Sequence, residues 1–575
     1  MRTATLIPLL SFLSLSPARP AETIPVAADW DAAKRESIKV FMDRLDERGI
    51  VRVIPPLQVR FDACVPPESF DIRRTDSALT LSTPDGRGLM YGLGRILRGL
   101  PWGQTDAAYF GPTGRFQPKL PVRGMYFATH FGNFYNAAPV EKIRRYVEDL
   151  ALMGCNCLAV WFDMHHYRGM DDPAAVEMVA RLRAILHRAN EIGMDAAFTS
   201  LANEGFANSP EDLRASWGQG WSHYHRELCP NKPGGLEKIL ACRNQMLDAF
   251  KDLNIACFWV WPYDQGGCNC EKCVPWGGKG YMRASLAVGR LVKRRLPQAK
   301  IVLSTWEMGY HFPFDEEWDG LYAAVEANPG VFDYVMIEER QPRGYHEMLA
   351  RRGAPGGLPI LNFTEISMMR MFPWGGFGAN LSLDMIQSRW DKYGARVSGG
   401  FPYSEGIYED LNKFACLQLY WNPARRMEDI IREYVEGFIG RNDADAVCAA
   451  IRQLDAQMGH GIDPSGLFAA RKAYGEGTPI EKLHAVYRVP KGPDAGKPHE
   501  TLAAVARTLP SSVLASPRWK YLYLRAALDA ELSLSAGRPT ARSEDLFRQV
   551  RELACEGVGA SGCVSVPRIG QGVAD

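Results

Sequence analysis

The chain has 575 residues, of which 46% are hydrophobic, and this length exceeds what one hydrophobic core usually supports, so two or three domains are expected. Lys and Arg together number 67 against 66 for Asp and Glu, which gives a net charge of +1. Nucleic-acid-binding proteins usually carry a basic surplus or a basic stripe. Because neither is present, nucleic acid is excluded as a partner.

The first 21 residues have the pattern of a signal peptide. Arg2 supplies a positive start, residues 6–15 form an apolar run, and small residues at 16–18 offer a cleavage site, with a second possible cut near Ala21. The apolar run is too short to span a membrane, and no later span follows. We therefore predict a signal peptide at residues 1–21 and a mature protein that is secreted or periplasmic, with no membrane partner.

Residues 22–118 have the pattern of a small α/β domain. A helical periodicity over residues 33–48 precedes four short strand-like segments, and a second helical pattern over residues 87–100 follows the turn Pro84-Asp85-Gly86. The strand-like segments are residues 51–54, 57–61, 70–73 and 79–82. We expect the second helix to pack on these strands.

Residues 119–424 alternate between short apolar runs and amphipathic helical patterns. Fully buried parallel strands have this appearance, and eight such units predict a closed (β/α)8 barrel, the TIM barrel fold. The predicted strands are residues 123–129, 157–162, 195–200, 256–261, 300–304, 334–337, 359–363 and 399–403. A doubly wound sheet is the alternative, but Thr129-His130-Phe131-Gly132-Asn133, after the first strand, is not a glycine-rich phosphate turn.

Residues 425–575 are mostly helical in pattern, with helices predicted at residues 427–439, 444–458, 518–536 and 543–553. Pro and Gly cluster between residues 464 and 497, where loops are expected. The predicted fold class is therefore α/β, a (β/α)8 TIM barrel with a small N-terminal α/β domain and a helical C-terminal domain.

Carboxylates follow nearly every predicted strand of the barrel, at the end where barrel enzymes carry their reactive residues. Glycosidases draw an acid, a base and a nucleophile from such groups, although a carboxylate at this position is often only a helix cap. The strongest catalytic candidates are Asp264, Glu365 and Glu405. The candidate substrate-binding residues are His130, Asp163, Asn203, Glu204, Trp261, Tyr263, Trp306, Glu307, Glu339, Trp374 and Tyr403.

The cysteines Cys268, Cys270 and Cys273 lie close together in the loop after the fourth predicted strand. Their spacing resembles half of a zinc site, for which Cys229 or His130 could supply a fourth ligand, and thiols this close favour either a metal or one local disulfide. We expect no cofactor, with zinc in this loop as the alternative. Cysteines inside apolar runs, such as Cys157, Cys257 and Cys416, are expected to be buried hydrophobes.

Three segments resemble barrel-based glycoside hydrolases of families 20 (β-hexosaminidases), 67 (α-glucuronidases) and 89 (α-N-acetylglucosaminidases). They are Phe70-Asp71-Ile72-Arg73-Arg74, Asp85-Gly86-Arg87-Gly88-Leu89-Met90-Tyr91-Gly92 and Pro121-Val122-Arg123-Gly124-Met125. The resemblance covers about the first 420 residues by architecture, a small α/β domain before the barrel, with few and moderately specific motifs. It implies an exo-acting glycoside hydrolase with a carbohydrate substrate. These families include both inverting and retaining enzymes, so the stereochemical outcome stays open.

The sequence also departs from these families. Family 20 enzymes carry Asp-Glu after the fourth strand, whereas this chain has Asp264-Gln265, and Gln cannot donate a catalytic proton. Either Asp264 is the acid, paired with Glu365 across the barrel and with Glu405 as a substitute, or the acid comes from elsewhere. Two alternatives remain. One is a non-catalytic carbohydrate-binding protein on a barrel scaffold. The other is a metal-dependent hydrolase that uses His165, His166 and the cysteines of the loop after the fourth predicted strand, although the two histidines do not have the spacing of a His-x-His or His-Glu-x-x-His motif.

Overall fold

The structure is a computed structural model. It describes residues 30–129, 134–216, 226–263, 266–338, 345–366, 381–404, 406, 409–457, 494–535 and 540–554. The predicted signal peptide at residues 1–21 lies outside this part of the chain. Within it, no helix combines the length and the apolar composition that a membrane span requires.

The N-terminal part is a four-stranded sheet with two helices. Its elements are α1 (Ala32–Glu47), β1 (Arg52–Ile54), β2 (Leu57–Phe61), β3 (Phe70–Arg74), β4 (Leu79–Thr83), α2 (Gly86–Arg98), β5 (Asp106–Ala108) and β6 (Gly114–Phe116). The strand order is β2-β4-β3-β6, and β1 pairs separately with β5. The two helices and β1 to β4 coincide with the predicted elements to within two residues, whereas β5 and β6 have no predicted counterpart. The domain boundaries stay predictions.

The turn into α2 explains the motif Asp85-Gly86-Arg87-Gly88. The Asp85 side chain accepts a hydrogen bond from the amide of Gly88 at 2.7 Å, which caps the helix. A Cβ atom on Gly88 would overlap the carbonyl oxygen of Ser69, so only glycine fits there. The motif therefore reflects how α2 begins and packs on its sheet.

Eight parallel strands close into a barrel. They are β7 (Val122–Phe127), β8 (Cys157–Trp161), β9 (Asp195–Leu201), β10 (Ile255–Trp261), β11 (Lys300–Ser304), β12 (Tyr334–Glu338), β13 (Ile360–Phe363) and β14 (Val397–Gly400), the last continued by β15 (Tyr403–Ser404). Neighbouring strands pair in chain order, and β14 pairs with β7 to complete the circle. The predicted TIM barrel is confirmed, with each predicted strand present.

The eighth strand differs from its prediction as one continuous segment over residues 399–403. It is split into β14 and β15, because Pro402 has no amide hydrogen to donate to a neighbouring strand. Its start also needs glycine, since Gly399 has φ +118° and a Cβ atom there would overlap the carbonyl oxygen of Val122. The point of barrel closure is thus set by local backbone constraints.

The interior of the barrel is filled with aromatic side chains. Trp259 is fully buried, with its ring 4.5 Å from that of Phe401 and 5.5 Å from that of Tyr126. Phe363 and Tyr403 complete this cluster, with ring centroids 5.9 Å apart. Barrel interiors are more often filled by branched aliphatic residues. Part of the aromatic content of the sequence therefore lies in the core of the barrel.

The helices of the barrel surround the strands. They are α3 (Phe134–Ala137), α4 (Val140–Leu152), α5 (Pro173–Glu191), α6 (Gly235–Ala249), α7 (Gly280–Arg295), α8 (Phe314–Glu326), α9 (Tyr345–Arg352), α10 (Leu383–Tyr393) and α11 (Asp410–Trp421). Short 3-10 helices occur at Met164–His166, Glu211–Leu213, Pro355–Gly357 and Gly394–Arg396. In α11 every residue from Asp410 to Tyr420 is buried, because the C-terminal helices cover its outer side.

The C-terminal part is helical, as predicted. Its helices are α12 (Met427–Phe438), α13 (Ala444–Gln457), α14 (Lys497–Val505), α15 (Ser511–Ala515), α16 (Pro517–Leu534) and α17 (Ala541–Ala554). Glu433 of α12 forms ion pairs with Arg95 and Arg98 of α2 and with Arg425. Burial raises the pKa of Glu433, but these three guanidinium groups outweigh it and hold the pKa well below its usual range. The C-terminal helices are thus bound directly to the N-terminal domain.

Candidate active site

The C-terminal ends of β7–β15 form one end of the barrel, which we call the barrel mouth. Of the predicted site residues, the structure describes Asp163, Asn203, Glu204, Trp261, Tyr263, Trp306, Glu307, Glu365 and Tyr403. Asp264, Glu405, His130, Glu339 and Trp374 lie outside the described residues. The roles of all of them stay predictions, and the geometry below shows where the described ones lie.

Four aromatic rings lie together at the mouth, and we call Trp261, Trp306, Phe363 and Tyr403 the aromatic cluster. Phe363 is at its centre, with ring centroids 5.0 Å from Trp261 and 5.4 Å from Trp306. The rings of Trp261 and Trp306 are 5.4 Å apart. Only Phe363 was not foreseen from the sequence, where it reads as an ordinary strand residue. The cluster gives the mouth an aromatic, largely apolar floor.

Glu365 lies beside this floor, two residues after Phe363. It forms a parallel backbone bridge with Tyr403, and its residue is only 2% exposed. The end of β13 is fixed by Asn362, which donates a hydrogen bond to Thr364 at 3.0 Å and accepts one from Tyr420 at 2.6 Å. A buried carboxyl group thus follows a strand end that side-chain hydrogen bonds hold in place.

Glu307 is a more accessible carboxylate at the mouth, directly after Trp306. Its side chain is 34% exposed and lies 3.1 Å from the ring nitrogen of His311. Its backbone is left-handed, with φ 57°, and such a conformation costs a non-glycine residue on the order of 1 kcal/mol. Strain of this kind is concentrated at functional sites, and here it occurs at the residue that directly follows Trp306 of the aromatic cluster.

Glu204 is completely buried at the mouth, inside a polar network. Its carboxylate contacts Nδ1 of His165 at 2.8 Å, the hydroxyl of Ser200 at 2.8 Å and the indole N–H of Trp161 at 3.2 Å. Burial raises the pKa of Glu204, but the hydrogen bond with His165 and the charge of Arg243 outweigh it, so the pKa lies below its usual value. This carboxylate is ionised, and its hydrogen bonds are made with protein groups.

Asp163 and the two histidines after β8 lie close together. Asp163 contacts Nδ1 of His166 at 2.6 Å, and the rings of His165 and His166 are 4.2 Å apart. Burial lowers the pKa of His166, yet the hydrogen bond with Asp163 outweighs it and the pKa lies above its usual value. Ligand atoms of the three residues are within 4.8 Å of one another, which is close enough for a shared metal ion.

Tyr263 and Asn203 face the protein interior. Tyr263 is 1% exposed and donates its hydroxyl to Glu317, which also accepts the amides of Gly277 at 2.7 Å and Gly309 at 2.6 Å. Burial raises the pKa of Glu317 above its usual value, although these donors oppose it. Asn203 donates to the carbonyl oxygens of two neighbouring loops. Both side chains fix loops at the mouth and present little surface to a ligand.

The structure brings Cys268, Cys270 and Cys273 next to Cys229, and all four are free thiols. Cys157, Cys257 and Cys416 are buried, as expected for small hydrophobes.

Some functional-looking residues carried no usable sequence signal. Arg243 of α6 is fully buried beneath Glu204 and donates to Ser200 and to the carbonyl of Leu201 at 3.0 Å. Lys413 of α11 is also buried, and burial lowers its pKa to about 8 despite the carboxylates of Glu409 and Asp410. In the sequence both are single cations within helical patterns, where a solvated position is the usual one.

A barrel with a small α/β domain before it, helices after it and carboxyl groups beside aromatic rings at its mouth is an architecture found in glycoside hydrolases. No family profile and no curated protein sequence matches the chain. Among solved structures, the chain is similar to a family 115 4-O-methyl-α-glucuronidase at 13% identity, covering 94% of this chain and 76% of that one, with a TM-score of 0.58.

Two further structures are similar over most of the chain. A family 89 glycoside hydrolase from Clostridium perfringens, solved with PUGNAc, has 13% identity, a TM-score of 0.58 and coverage of 92% of this chain and 65% of that one. A family 138 enzyme targeting pectin rhamnogalacturonan II has 12% identity, a TM-score of 0.54 and coverage of 92% and 72%. At these identities the likeness shows the shared fold. Family 89 is one of the families that the sequence motifs resemble.

Proposed function

We propose that this protein is an exported, exo-acting glycoside hydrolase that cleaves an oligo- or polysaccharide with a pair of carboxyl groups. The observation that carries the proposal is Glu365, a buried carboxyl group two residues beyond the central ring of the aromatic cluster. Aromatic faces bind the apolar faces of sugar rings, and a carboxyl group held beside them suits proton transfer or attack at the anomeric carbon.

Cleavage of a glycosidic bond needs one protonated and one ionised carboxyl group on either side of the bond. In the proposed pair, Asp264 after β10 protonates the leaving oxygen, and Glu365 after β13 attacks the anomeric carbon or activates water. A separation of about 5–5.5 Å between the two groups gives retention, and about 6.5–9.5 Å gives inversion. Glu405, which follows β15, takes the second role if Glu365 orients a sugar hydroxyl.

Accessible carboxylates and rings supply the substrate contacts in this proposal. Glu307 has the exposure and the strained backbone expected of a ligand-binding group, and Trp261 and Trp306 offer stacking faces. Glu204 supports the site from beneath, because its carboxylate is bound by Trp161, His165 and Ser200. The proposal therefore places the substrate between the aromatic cluster and the loops after β10 and β11.

The solved neighbours support a carbohydrate substrate. One is described as specific for decorated arabinogalactans, a second as targeting rhamnogalacturonan II, and the family 89 enzyme was solved with a GlcNAc-α-1,4-galactose substrate. Exo-action is proposed from the motif resemblance to families 20, 67 and 89. Export is proposed from residues 1–21, and native material should begin near residue 22. An intact Met1 in its mass spectrum would contradict export.

The test is turnover on a panel of aryl α- and β-glycosides, including uronides and N-acetylhexosaminides. Glu365→Gln and Asp264→Asn should each lower turnover by about 10²–10⁴-fold, the usual contribution of acid–base catalysis. The control is Asp333→Asn, whose carboxylate lies at the opposite end of the barrel, paired with Lys293 at 3.0 Å. Its turnover should stay near normal.

Each of the other outcomes would support a different function. Near-normal turnover in both site variants would make the assignment wrong, and Glu307, Glu339 and Glu405 would be tested next. Saturable sugar binding without turnover on any substrate would identify a carbohydrate-binding protein. Turnover abolished by His166→Ala, with the Glu365→Gln variant active, would identify a metal-dependent hydrolase at Asp163, His165 and His166.

A further inference from the structure

Four cysteines from two loops meet at the barrel mouth, and we call Cys229, Cys268, Cys270 and Cys273 the cysteine cluster. Cys229 lies between β9 and α6, and the other three lie between β10 and α7. One sulfur atom from each lies within 4.8 Å of the others. We propose that this cluster binds one zinc ion through four thiolates and thereby ties the two loops together.

The sulfur positions fit a tetrahedron around a single ion. Zinc–thiolate bonds are about 2.3 Å long, so the sulfur atoms at the corners of a regular tetrahedron are about 3.8 Å apart. Sγ of Cys229 is 3.7 Å from Sγ of Cys270 and 3.7 Å from Sγ of Cys273. A disulfide needs about 2.05 Å, and all four cysteines are free. Four sulfur ligands with no open position define a structural site, not a catalytic one.

The surroundings of the sulfurs also suit thiolates. The amide of Ser216 donates to Cys268 at 3.4 Å, and the side-chain amide of Asn231 donates to Cys273 at 3.2 Å. Such N–H groups orient the ligands of metal sites and stabilise their charge. Cys229, Cys268 and Cys273 are buried and Cys270 is half-buried, so the site is largely shielded from bulk water. Binding of Zn²⁺ releases one proton from each thiol that is protonated beforehand.

The ion would reinforce contacts that already join the two loops. Asn203 donates to the carbonyl of Leu228 at 3.0 Å and to that of Gly267 at 2.7 Å, which are the neighbours of Cys229 and Cys268. Asn231 also donates to the carbonyl of Lys272 at 3.0 Å. The loop held in this way leads directly from Tyr263 through residues 264 and 265 to the cysteine cluster. Zinc would thus position the segment after β10 without contacting a substrate.

The first experiment uses the full-length protein purified without chelators. Elemental analysis should find about one zinc per chain, and X-ray absorption at the zinc edge should show four sulfur neighbours at about 2.3 Å. This measurement needs no variant and does not depend on glycosidase activity. Nitrogen or oxygen neighbours in the spectrum would overturn the four-thiolate site.

The second experiment uses matched cysteine variants. Cys229→Ser and Cys270→Ser should lose most of the bound zinc, whereas Cys242→Ser, buried in α6, and Cys448→Ser, half-buried in α13, should keep about one equivalent. Amide exchange of residues 226–235 and 266–280 should speed up in the first pair and stay unchanged in the second. Equal zinc in all four variants would overturn the assignment.

Two findings on the native protein would also overturn the proposal. One is metal-free protein whose four thiols all react with an alkylating reagent in the folded state. The other is metal-free protein with a mapped disulfide among the four cysteines. Zinc retention in a catalytically silent protein would leave the metal site standing while contradicting the proposed function, so the two failures are distinguishable.

Discussion

Glu68 and Glu307 lie at opposite ends of the barrel and share an unusual backbone. In the described part of the chain they are the two non-glycine residues with positive φ, at 58° and 57°. Glu68 is paired with Arg87 at 2.7 Å and Arg123 at 2.5 Å, where the N-terminal domain meets the start of β7. The carboxylate of Glu307 is paired with the partly exposed ring of His311 at 3.1 Å. The same backbone strain is thus offset by two ion pairs at the N-terminal end of the barrel and by one partly exposed contact at the mouth.

The difference is what we expect if the N-terminal end of the barrel is structural and the mouth holds the proposed active site. Arg87 also pairs with Asp195 at the start of β9, so the N-terminal end of the barrel holds its charges in mutually satisfied pairs. At the mouth, Glu307 directly follows Trp306 and Glu365 lies two residues after Phe363, and strained or buried carboxyl groups are typical of sites shaped for a ligand. Four changes test this contrast, beginning with the largest expected effect.

Gly399→Ala should have the largest effect, because a Cβ atom would overlap the carbonyl oxygen of Val122 where the barrel closes. We expect the free energy of unfolding to fall by at least about 4 kcal/mol, or the protein not to fold. Gly114→Ala is the matched control, with a similar φ of +115° and open space around the added atom. It should cost about 1–2 kcal/mol, and equal losses by chemical denaturation would contradict the steric explanation.

Glu68→Gln should cost about 3 kcal/mol, because it leaves the buried guanidinium of Arg123 without its carboxylate. Asp106→Asn removes an exposed pair with Arg52 and should cost less than about 1 kcal/mol. Urea unfolding of both variants checks the difference. A loss as small for Glu68 as for Asp106 would show that the N-terminal end is not held by its ion pairs.

Acid stability should depend on Glu433, whose folded pKa is held below its unfolded value of about 4.3. A lowered carboxyl pKa contributes stability that is present above the unfolded pKa and is lost as the pH falls below it. Glu433→Gln should therefore lower Tm at pH 7, and the difference from the native protein should shrink below about pH 4. A difference that stays constant from pH 7 to pH 3 would exclude this linkage.

Glu307→Gly should have the smallest and opposite effect on stability. Glycine adopts φ near 57° without strain, so the free energy of unfolding should stay unchanged or rise by up to about 0.5 kcal/mol, after the greater entropy of the unfolded chain is counted. Glu68→Gly relieves the same strain but loses two ion pairs and should be destabilised. If Glu307→Gly is as destabilised as Glu68→Gly, the two ends do not differ in the proposed way.

Much of the fold could be predicted because its signals are local. Each strand of the barrel is a short apolar run between helical patterns, and such runs have few other uses in a chain of this length. The one strand that differed, the eighth, was misjudged at Pro402, where a missing amide hydrogen interrupts the pairing. Polar residues that follow the strands could likewise be assigned to the mouth from their positions in the sequence alone.

The site could be predicted only in part, because roles at the mouth depend on orientation. Tyr263 and Glu365 both follow a strand, yet Tyr263 turns inward to Glu317, which lies 54 residues away in the chain. Phe363 reads as core in the sequence and becomes the centre of the aromatic cluster only because β10, β11 and β13 converge. No periodicity distinguishes these cases.

The sequence by itself determined the barrel, its flanking domains and the presence of three cysteines in one loop, because apolar patterning and residue spacing act over a few neighbours. Only the tertiary structure decided that Cys229, 41 residues before Cys270, is the fourth member of the cysteine cluster. It also decided that Glu204 is buried and hydrogen-bonded to Ser200 and His165, while Glu307 is accessible. Closure of the barrel brings distant loops to one end, and contacts between loops are set by that closure and not by local chain preference.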